Sequence, residues 1–471
     1  MGARLRAESR PRRGVAPRRG RADPAGPREL ALQVLQDVDH AGAYADLALH
    51  AALARSRLAP ADRALATELV CGSLRWRGRL DFALVQVLDR GLDSLEPRVA
   101  NVLRLGAYQI LFLDRVPDAV AVSESVRLAR AVGLERAAGL VNAALRRLAR
   151  EREALPLPLL ADDPLGHLVH ALSIPRWIAE RWIASYGAEA AAALARASNA
   201  RAPHTVRTNR RRVQRDVLLA ELRARFPDAE ACRFAPDGIS LARGDLAGDP
   251  AFREGRFTIQ DEASQLVVEW LDPQPGERVL DACAAPGAKA TAIAERVGEA
   301  GLVVALDRHA RRLDLLARDA RRLGLENVHA LRADASRPLD VSLGADARFD
   351  RILVDAPCSG LGALRRNPDA RWRLEPDAPA RLAAVQRSIL LQVWPLLVPG
   401  GVLVYSTCTL AVEENEAVID ALLADAPELG PATAPTPASI APFVGADGFL
   451  RTLPHQTDAD GFFAARLERT R

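Results

Sequence analysis

The sequence predicts a multi-domain chain in which an all-α bundle and a small α+β module precede an α/β domain of the doubly wound type. Apolar residues recur at helical spacing over residues 29–152, whereas short apolar strands alternate with helices in the C-terminal half. With 471 residues and 49% hydrophobic content, the chain can fill two or three cores. We therefore expect domains at 29–152, 160–250 and 251–471, after a separate tail at 1–28.

Residues 1–28 are rich in arginine and proline. They carry nine arginines against two acidic residues, although the whole chain has a net charge of only +4. A segment with so few apolar side chains cannot bury a core, so we expect it to be disordered. It is either a nonspecific phosphate-binding tail or a solubilising extension.

The helical bundle is predicted from five amphipathic segments. Their apolar residues recur every three or four positions, the spacing that places them on one face of a helix. The segments are Leu30–Val38, Ala61–Trp76, Val99–Leu113, Val120–Val132 and Ala137–Leu148. Arginines also cluster here, and they either meet nucleic-acid phosphates or form a solvated helix surface; they are Arg75, Arg77, Arg79, Arg146, Arg147 and Arg150.

The α+β module is predicted from three short elements. Val206 begins a strand, Val217–Phe226 has helical spacing, and Asp237–Leu241 is predicted as another strand. Four arginines follow the first strand, and they either reach a base or phosphate or simply open a charged helix; they are Arg210, Arg211, Arg212 and Arg215.

Acidic residues end the strands that are predicted in the α/β domain. The first four strands close at Asp281, Asp307, Asp334 and Asp355. The fifth strand exits at Cys408, and helices at 310–323 and 380–397 supply crossovers. The carboxyl ends of parallel strands form the ligand-binding edge of an open, Rossmann-like sheet, so these side chains should share one crevice. Strand-end acids suit a nucleoside ligand, and the G-x-G-x-x-G and Walker patterns are absent, so S-adenosylmethionine is the favoured cofactor.

Lys289 is the only lysine among the 64 basic residues of the chain. It follows Pro286 and Gly287 in a strand-to-helix turn. A lysine ammonium is compact and its pKa can be tuned by its surroundings, whereas a guanidinium stays charged. We therefore expect chemistry at this turn.

Three motifs carry a specific resemblance. Asp281-Ala-Cys-Ala-Ala-Pro-Gly, Asp355-Ala-Pro-Cys-Ser-Gly-Leu-Gly and Ser406-Thr-Cys-Thr resemble, in this order, the cofactor, Pro-Cys and Thr-Cys motifs of RNA cytosine-5 methyltransferases. Segments at 62–76 and 139–147 resemble the NusB-like domain that is fused to one branch of those enzymes. The combination resembles bacterial 16S rRNA (cytosine-C5)-methyltransferases of the RsmB type. Further segments that resemble this family lie at 257–264, 365–372, 413–415 and 460–463.

The resemblance implies a role for each site residue. Cys408 would add to C6 of a cytosine as the nucleophile, and Cys358 would assist breakdown of the covalent adduct. Asp355 would hold the base at N3. The role of Lys289 rests on its charge and sequence context rather than on the resemblance: it would favour the Cys408 thiolate, or orient Asp355 or a backbone carbonyl. S-adenosylmethionine would be bound by the turn and the strand-end acids, namely Cys283, Ala284, Ala285, Pro286, Gly287, Ala288, Lys289, Asp307, Arg312, Asp334 and Asp355.

The implied substrate is a cytosine in 16S rRNA, presented either as free RNA or within a small-subunit assembly intermediate. Three alternatives stay open. The cysteines exchange roles if the chain follows DNA cytosine-5 methyltransferases, in which the Pro-Cys cysteine attacks. The substrate is tRNA if the chain is a tRNA cytosine-5 methyltransferase, an alternative that the fused helical bundle disfavours. The chain is a non-catalytic NusB-like RNA-binding or ribosome-assembly protein if turnover has been lost, but Lys289, Asp355 and both cysteines argue against this.

The number and spacing of cysteines and histidines bear on whether the protein binds a metal and in which compartment it works. Five cysteines without a C-x-x-C pair, and eight histidines without ligand spacing, predict no metal site. The odd cysteine count and the lack of a secretory signal favour a reducing compartment, and no apolar run is long enough to span a membrane. We expect a cytoplasmic monomer, with Cys71, Cys232 and Cys283 as core thiols.

Two positions depart from the family's cofactor motif. Ala288 stands where the family has a second glycine, and Ala290 stands where it has threonine. Alanine suits position 288 only if the residue has a negative φ and its methyl group clears the cofactor. We expect weaker cofactor binding at worst.

Overall fold

The computed structural model of the protein describes residues 25–242 and 244–470, which form two compact units. Of the described residues, the first unit comprises those up to Ala179 together with Asn367–Asp369, and the second comprises those between Glu180 and Arg366 and those from Ala370 onward. The predicted tail falls mostly outside the described residues, so its disorder stays a prediction.

The first unit is helical, as the apolar spacing predicts. Its helices are α1 (Pro27–Ala41), α2 (Ala45–Arg55), α3 (Pro60–Arg75), α4 (Arg77–Val87), α5 (Pro97–Phe112), α6 (Asp118–Ala131), α7 (Ala138–Glu151) and α8 (Pro164–Gly166). The apolar faces of α1 to α7 form one core. Helix α2 was not predicted because alanine supplies two of its three buried residues. Helix α4 was not predicted as a separate helix because only Trp76 separates it from α3.

Arginines on this unit are engaged within the protein. Arg77 forms an ion pair with Asp39 at 2.8 Å, and Arg147 pairs with Glu151 one turn along α7. The Arg79 guanidinium lies over the Trp76 ring, and burial lowers the pKa of this arginine. These contacts favour a structural role over phosphate binding for the three arginines.

Helices α9 (Arg176–Tyr186) and α10 (Ala188–Asn199) precede the α+β module, whose antiparallel sheet has the strand order β2-β3-β1-β4. Its elements are β1 (His204–Thr208), α11 (Arg215–Arg225), β2 (Glu230–Ala231), β3 (Gly238–Leu241), α12 (Pro250–Arg253) and β4 (Phe257–Ile259). The two predicted strands and the helix are confirmed. Strand β4 pairs with β1 although it lies beyond residue 250, so the sheet uses a segment that the sequence placed in the next domain.

The module's four predicted surface arginines all have partners within the protein. Arg210 pairs with Asp237 at 2.7 Å, Arg211 with Glu299, and Arg212 and Arg215 donate to backbone carbonyls. These contacts favour the structural interpretation of the cluster.

The α/β domain is built on an eight-stranded sheet with the order β10-β12-β9-β8-β5-β6-β7, in which β11 pairs with β12. Its elements are α13 (Glu262–Leu271), β5 (Arg278–Asp281), α14 (Ala288–Val297), β6 (Leu302–Asp307), α15 (Ala310–Leu323), β7 (Val328–Arg332), α16 (Asp340–Leu343), β8 (Phe349–Asp355), α17 (Ala370–Arg373), α18 (Ala378–Val393), β9 (Leu397–Thr407), α19 (Glu416–Asp425), β10 (Leu429–Pro431), β11 (Leu450–Thr452), α20 (Pro454–Thr457) and β12 (Phe462–Arg469). Strands β5 to β9 are parallel, which confirms the doubly wound prediction.

Two predicted boundaries in this domain are corrected. The helix predicted at 380–397 ends at Val393, because a short 3-10 turn containing Pro395 follows and Leu397 already opens β9. Strand β7 ends at Arg332, so Asp334 lies two residues past the strand rather than at its end.

Candidate active site

The two motif cysteines meet at the exits of neighbouring strands. Strands β8 and β9 pair in parallel, with Asp355 opposite Ser406. The chain turns after each strand, and the Sγ atoms of Cys358 and Cys408 come to 3.3 Å from each other. Both are free thiols, so the pair forms a hydrogen bond between sulfur atoms rather than a disulfide. The sequence predicts this convergence because neighbouring parallel strands end at the same sheet edge.

Lys289 reaches the same edge from the first turn of α14. Its Nζ atom donates to Asp355 Oδ2 at 2.8 Å and lies 5.1 Å from the centre of the Phe462 ring. Burial alone would lower the pKa of Lys289, but the Asp355 carboxylate holds this pKa above its ordinary value. The ammonium therefore stays charged. Ser406 Oγ donates to Asp355 Oδ1 at 2.9 Å, so both carboxylate oxygens are oriented.

The two thiols have different surroundings. The hydrogen bond with Cys408 and burial raise the pKa of Cys358 well above its ordinary value, and the carboxylates of Glu414 and Asp355 act in the same direction. Lys289, in contrast, interacts electrostatically with Cys408. These contacts therefore disfavour a thiolate at Cys358.

The loop after β5 has the shape of a cofactor cradle. Gly287 has a φ of 120°, and a Cβ atom at this position would lie 2.8 Å from the Leu316 side chain. Only glycine fits such a backbone without strain. Ala288 opens helix α14 and is not among the described residues with positive φ, so the backbone requirement for alanine at this position is met. Ala290 is completely buried behind the loop.

The remainder of the loop packs against the sheet. Ala284 donates its N–H to Leu306 O at 2.8 Å, and Ala284 and Ala285 are buried. The bond between Ala285 and Pro286 is a cis peptide. Cys283 is only half-buried and packs at the edge of a core. Of the three cysteines that the sequence predicts as core thiols, only Cys232 is buried.

The predicted ribose-binding acids take different positions. Asp307 is buried at the end of β6, where its Oδ1 accepts from the His309 N–H at 2.7 Å. Arg312 joins this acid to the cradle, because it donates to Ala285 O and lies 3.8 Å from Asp307 Oδ2. Asp334 instead accepts from the Ser336 hydroxyl and N–H, which lower its pKa. Asp307 is thus the better placed of the two for a ligand in the cradle.

Asp281 is a site residue that the sequence identified only as a strand end. It is 1% exposed, and its Oδ2 atom is a buried oxygen without a hydrogen-bond partner among the described residues. Burial and the nearby Asp355 carboxylate raise the pKa of Asp281 to about 7, against the opposing effect of Lys289. An orphaned carboxylate oxygen beside a glycine-built cradle fits a cofactor that carries an ammonium or a hydroxyl group.

A buried network holds the two cysteine turns. Glu414 Oε2 accepts from the Ser359 N–H at 2.9 Å and from Gln386 Nε2 at 3.0 Å, while Ser359 Oγ contacts Thr409 Oγ1 at 2.7 Å. Asn415 Nδ2 donates to Thr409 O at 3.1 Å. The sequence drew attention to Glu414 and Asn415 only through the family resemblance of 413–415, since a Glu-Glu-Asn run by itself indicates a solvated turn.

No helix within residues 25–242 and 244–470 is long and apolar enough to cross a membrane. The same residues contain no cluster of three or more histidine, cysteine or acidic side chains that could hold a metal ion.

A doubly wound sheet, a cofactor cradle, and a thiol pair beside an oriented carboxylate define the class of this protein. It is an S-adenosylmethionine-dependent methyltransferase. Lys289, Asp355 and both cysteines lie together at the sheet edge, as predicted, with Asp281 added by the structure.

Comparisons with known proteins resolve the class further. The family described as 16S rRNA methyltransferase RsmB/F matches residues 268–468, the NusB family matches 25–150, and the ferredoxin-like domain of RsmF/B-like methyltransferases matches 174–245. A probable ribosomal RNA small subunit methyltransferase B of Bacillus subtilis is 38% identical over 94% of this chain and 98% of its own length. Ribosomal RNA small subunit methyltransferase B of Pseudomonas putida is 37% identical over 86% of this chain and 90% of its own. The chain belongs to the RsmB/F family of 16S rRNA methyltransferases.

Solved structures share the fold. A methyltransferase homologue from Pyrococcus horikoshii is 30% identical, with a TM-score of 0.55 over 65% of this chain and 98% of its own. The structure of NSun6 from the same organism, solved with the S-adenosylmethionine analogue SFG, is 21% identical and has a TM-score of 0.56 over 63% of this chain and 98% of its own.

Proposed function

We propose that this protein methylates C5 of a cytosine in 16S rRNA through a covalent bond between Cys408 and C6 of the base. The observation that carries the proposal is the pair of thiols 3.3 Å apart, next to a carboxylate that is oriented by a buried ammonium. Membership of the RsmB/F family and the names of the curated relatives support 16S rRNA as the substrate.

Cytosine C5 becomes nucleophilic only after a thiolate adds to C6, since the new bond pushes electron density onto C5. The cofactor supplies an electrophilic methyl group on sulfur. Asp355 faces the same crevice and is 31% exposed, so it retains lone pairs with which to bind a protonated N3. Its carboxylate would stabilise the positive charge that develops on the base.

The assignment of Cys408 as nucleophile follows from the asymmetry of the pair. Lys289 interacts electrostatically with Cys408, whereas the hydrogen bond with Cys408, burial and two carboxylates raise the pKa of Cys358. After the methyl group has moved from the cofactor sulfur to C5, a water molecule accepts the C5 proton, and the bond from sulfur to C6 breaks with its electron pair returning to Cys408. The S–H group of Cys358 can donate a hydrogen bond to the departing thiolate and so favour release. This supports the assignment with Cys408 attacking over the exchanged one.

A duplex would hide C5 and C6 from the thiolate, so the target base must be unpaired or extruded. The NusB-like unit and the ferredoxin-like module would then bind the surrounding RNA. We propose either free rRNA or a small-subunit assembly intermediate as the physical substrate.

Transfer of labelled methyl groups to unmodified 16S rRNA and to bulk tRNA tests the proposal. We expect label in 16S rRNA, no transfer by Cys408→Ala, and a trapped protein–RNA adduct in Cys358→Ala. Cys71→Ala is the matched control, because this thiol lies on the helical unit and should leave transfer unchanged. Trapping by Cys408→Ala instead would exchange the cysteine roles. Label in tRNA alone would change the substrate class, and no label despite cofactor binding would favour the assembly protein.

A further inference from the structure

The residues that flank the two cysteines are held from one short segment. Glu414 and Asn415, adjacent in the chain, are 0% and 4% exposed. Glu414 accepts from the N–H of Ser359, the residue after Cys358, at 2.9 Å, and also from its hydroxyl. Buried polar side chains of this kind contribute only when their hydrogen bonds are made, and Glu414 makes them on the turn that carries Cys358.

Asn415 performs the corresponding task for the other turn. Its Oδ1 accepts from Thr407 Oγ1 at 2.6 Å, and its Nδ2 donates to Thr409 O at 3.1 Å. Thr407 and Thr409 are the residues on either side of Cys408. One asparagine therefore brackets this cysteine by hydrogen bonds to both of its neighbours.

Gln386 and Tyr405 complete the support. Gln386 Nε2 donates both to Pro357 O, the residue before Cys358, at 2.9 Å and to Glu414 Oε2 at 3.0 Å. The Tyr405 hydroxyl lies within hydrogen-bond distance of Gln386 Oε1 and of the Glu414 carbonyl. Hydrogen bonds thus hold the residues on both sides of Cys358 as well. Both sets of bonds include Glu414, directly from Ser359 and through Gln386 from Pro357.

The charge of Glu414 adds an electrostatic effect. The titratable groups that act on Cys358 are Cys408, Glu414 and Asp355, and Tyr405 also interacts with this thiol. Of these groups, the carboxylates of Glu414 and Asp355 oppose a thiolate at Cys358 by their like charge. Burial raises the pKa of Glu414, while the donors around it, the Ser359 backbone and hydroxyl and Gln386, act in the opposite direction and stabilise the ionised carboxylate.

We propose that Glu414 and Asn415 are the positioning residues of the two-cysteine site. Asn415 fixes the turn of Cys408, while Glu414 fixes the turn of Cys358 and by its negative charge keeps the proton on that thiol. The effect of these two residues on catalysis rests on the proposed function. Their effect on the protonation and placement of the two thiols does not.

The first test uses protein without RNA. Alkylation of each cysteine by iodoacetamide is followed against pH by peptide mass spectrometry in the wild type and in Glu414→Gln. The glutamine can keep the Ser359 and Gln386 contacts, since its carbonyl accepts and its amide can donate to the Ser359 hydroxyl. We expect Cys358 to react about tenfold faster at a given pH in this variant, the change that one pKa unit produces. The profile of Cys408 should move less.

Glu413→Gln is the matched control, because Glu413 is the preceding residue, 39% exposed, and pairs with Arg181 instead of the cysteine turns. Its alkylation profile should match the wild type. Ser359→Ala is a second variant, which removes only the hydroxyl that bridges Glu414 and Thr409. It should also increase Cys358 alkylation if the turn is loosened. Thermal unfolding establishes that each variant is folded.

The second test measures the covalent protein–RNA adduct. We expect Glu414→Gln to accumulate adduct during turnover, because a Cys358 that loses its proton cannot assist the departing thiolate. Altered Cys358 alkylation without any adduct, even in Cys358→Ala, would refute the proposed function and leave the positioning role intact. Wild-type alkylation and turnover in Glu414→Gln, together with a trapped adduct in Cys358→Ala, would overturn the inference.

Discussion

Replacing Lys289 by methionine tests the proposed catalytic role of its ammonium separately from its packing. Methionine has a similar length and is apolar, so it can fill the buried position while removing the charge. The change deletes the 2.8 Å contact with Asp355 and the approach to the Phe462 ring at 5.1 Å. Asp355 would keep only the Ser406 hydroxyl as a partner among these contacts.

The expected magnitudes differ for folding and for catalysis. A hydrogen bond to a charged group contributes about 1.5–3 kcal/mol, but the variant no longer buries an ammonium, and Asp355 is 31% exposed and so partly hydrated. We therefore expect the free energy of unfolding to fall by only about 1 kcal/mol. Loss of an oriented electrostatic contact in the transition state costs roughly 10²–10³ in kcat.

The assay compares methyl transfer with thermal unfolding and with cofactor binding by calorimetry. Lys289→Arg is the companion variant, because it keeps the positive charge but replaces a compact ammonium by a planar fork. We expect Lys289→Met to be folded and almost inactive, and Lys289→Arg to recover part of the activity. A Lys289→Met protein whose kcat/KM falls less than about tenfold would refute this account of the pair.

Three further predictions concern the cradle and its support. Gly287→Ala should weaken cofactor binding at least tenfold by calorimetry, because its Cβ would meet Leu316 at 2.8 Å on a backbone with positive φ; unchanged affinity would contradict the strain. Arg207→Met should lower the unfolding free energy by about 3–5 kcal/mol in urea, since it leaves the buried Glu295 carboxylate, now 2.7 Å from the guanidinium, without its partner. Asp281→Asn should gain stability relative to the wild type as the pH rises from about 4 to about 7, because over this range the carboxyl is ionised in the unfolded chain but still protonated in the native state, where burial raises its pKa to about 7. Urea unfolding at about pH 5 and about pH 8 measures this difference, and an equal effect at both would exclude it.

Much of the candidate active site was predictable because its residues lie in short sequence motifs at the ends of strands. Lys289, Asp355, Cys358 and Cys408 were identified from short runs, and their convergence follows from the parallel order of neighbouring strands. The same reasoning predicted α15 at Ala310–Leu323 with both of its ends. It failed for the end of α18, where apolar residues continue across the turn into β9 and periodicity alone does not mark the change.

The sequence alone determined the order of the domains, the doubly wound sheet and the residue types that carry the chemistry, because these depend on local periodicity and on spacing along the chain. Only the tertiary structure decided which groups surround each thiol, which partner Lys289 takes and how Glu414 and Asn415 hold the cysteine turns. These properties depend on distances between groups that are far apart in the chain and on their burial, and electrostatic interactions vary steeply with both.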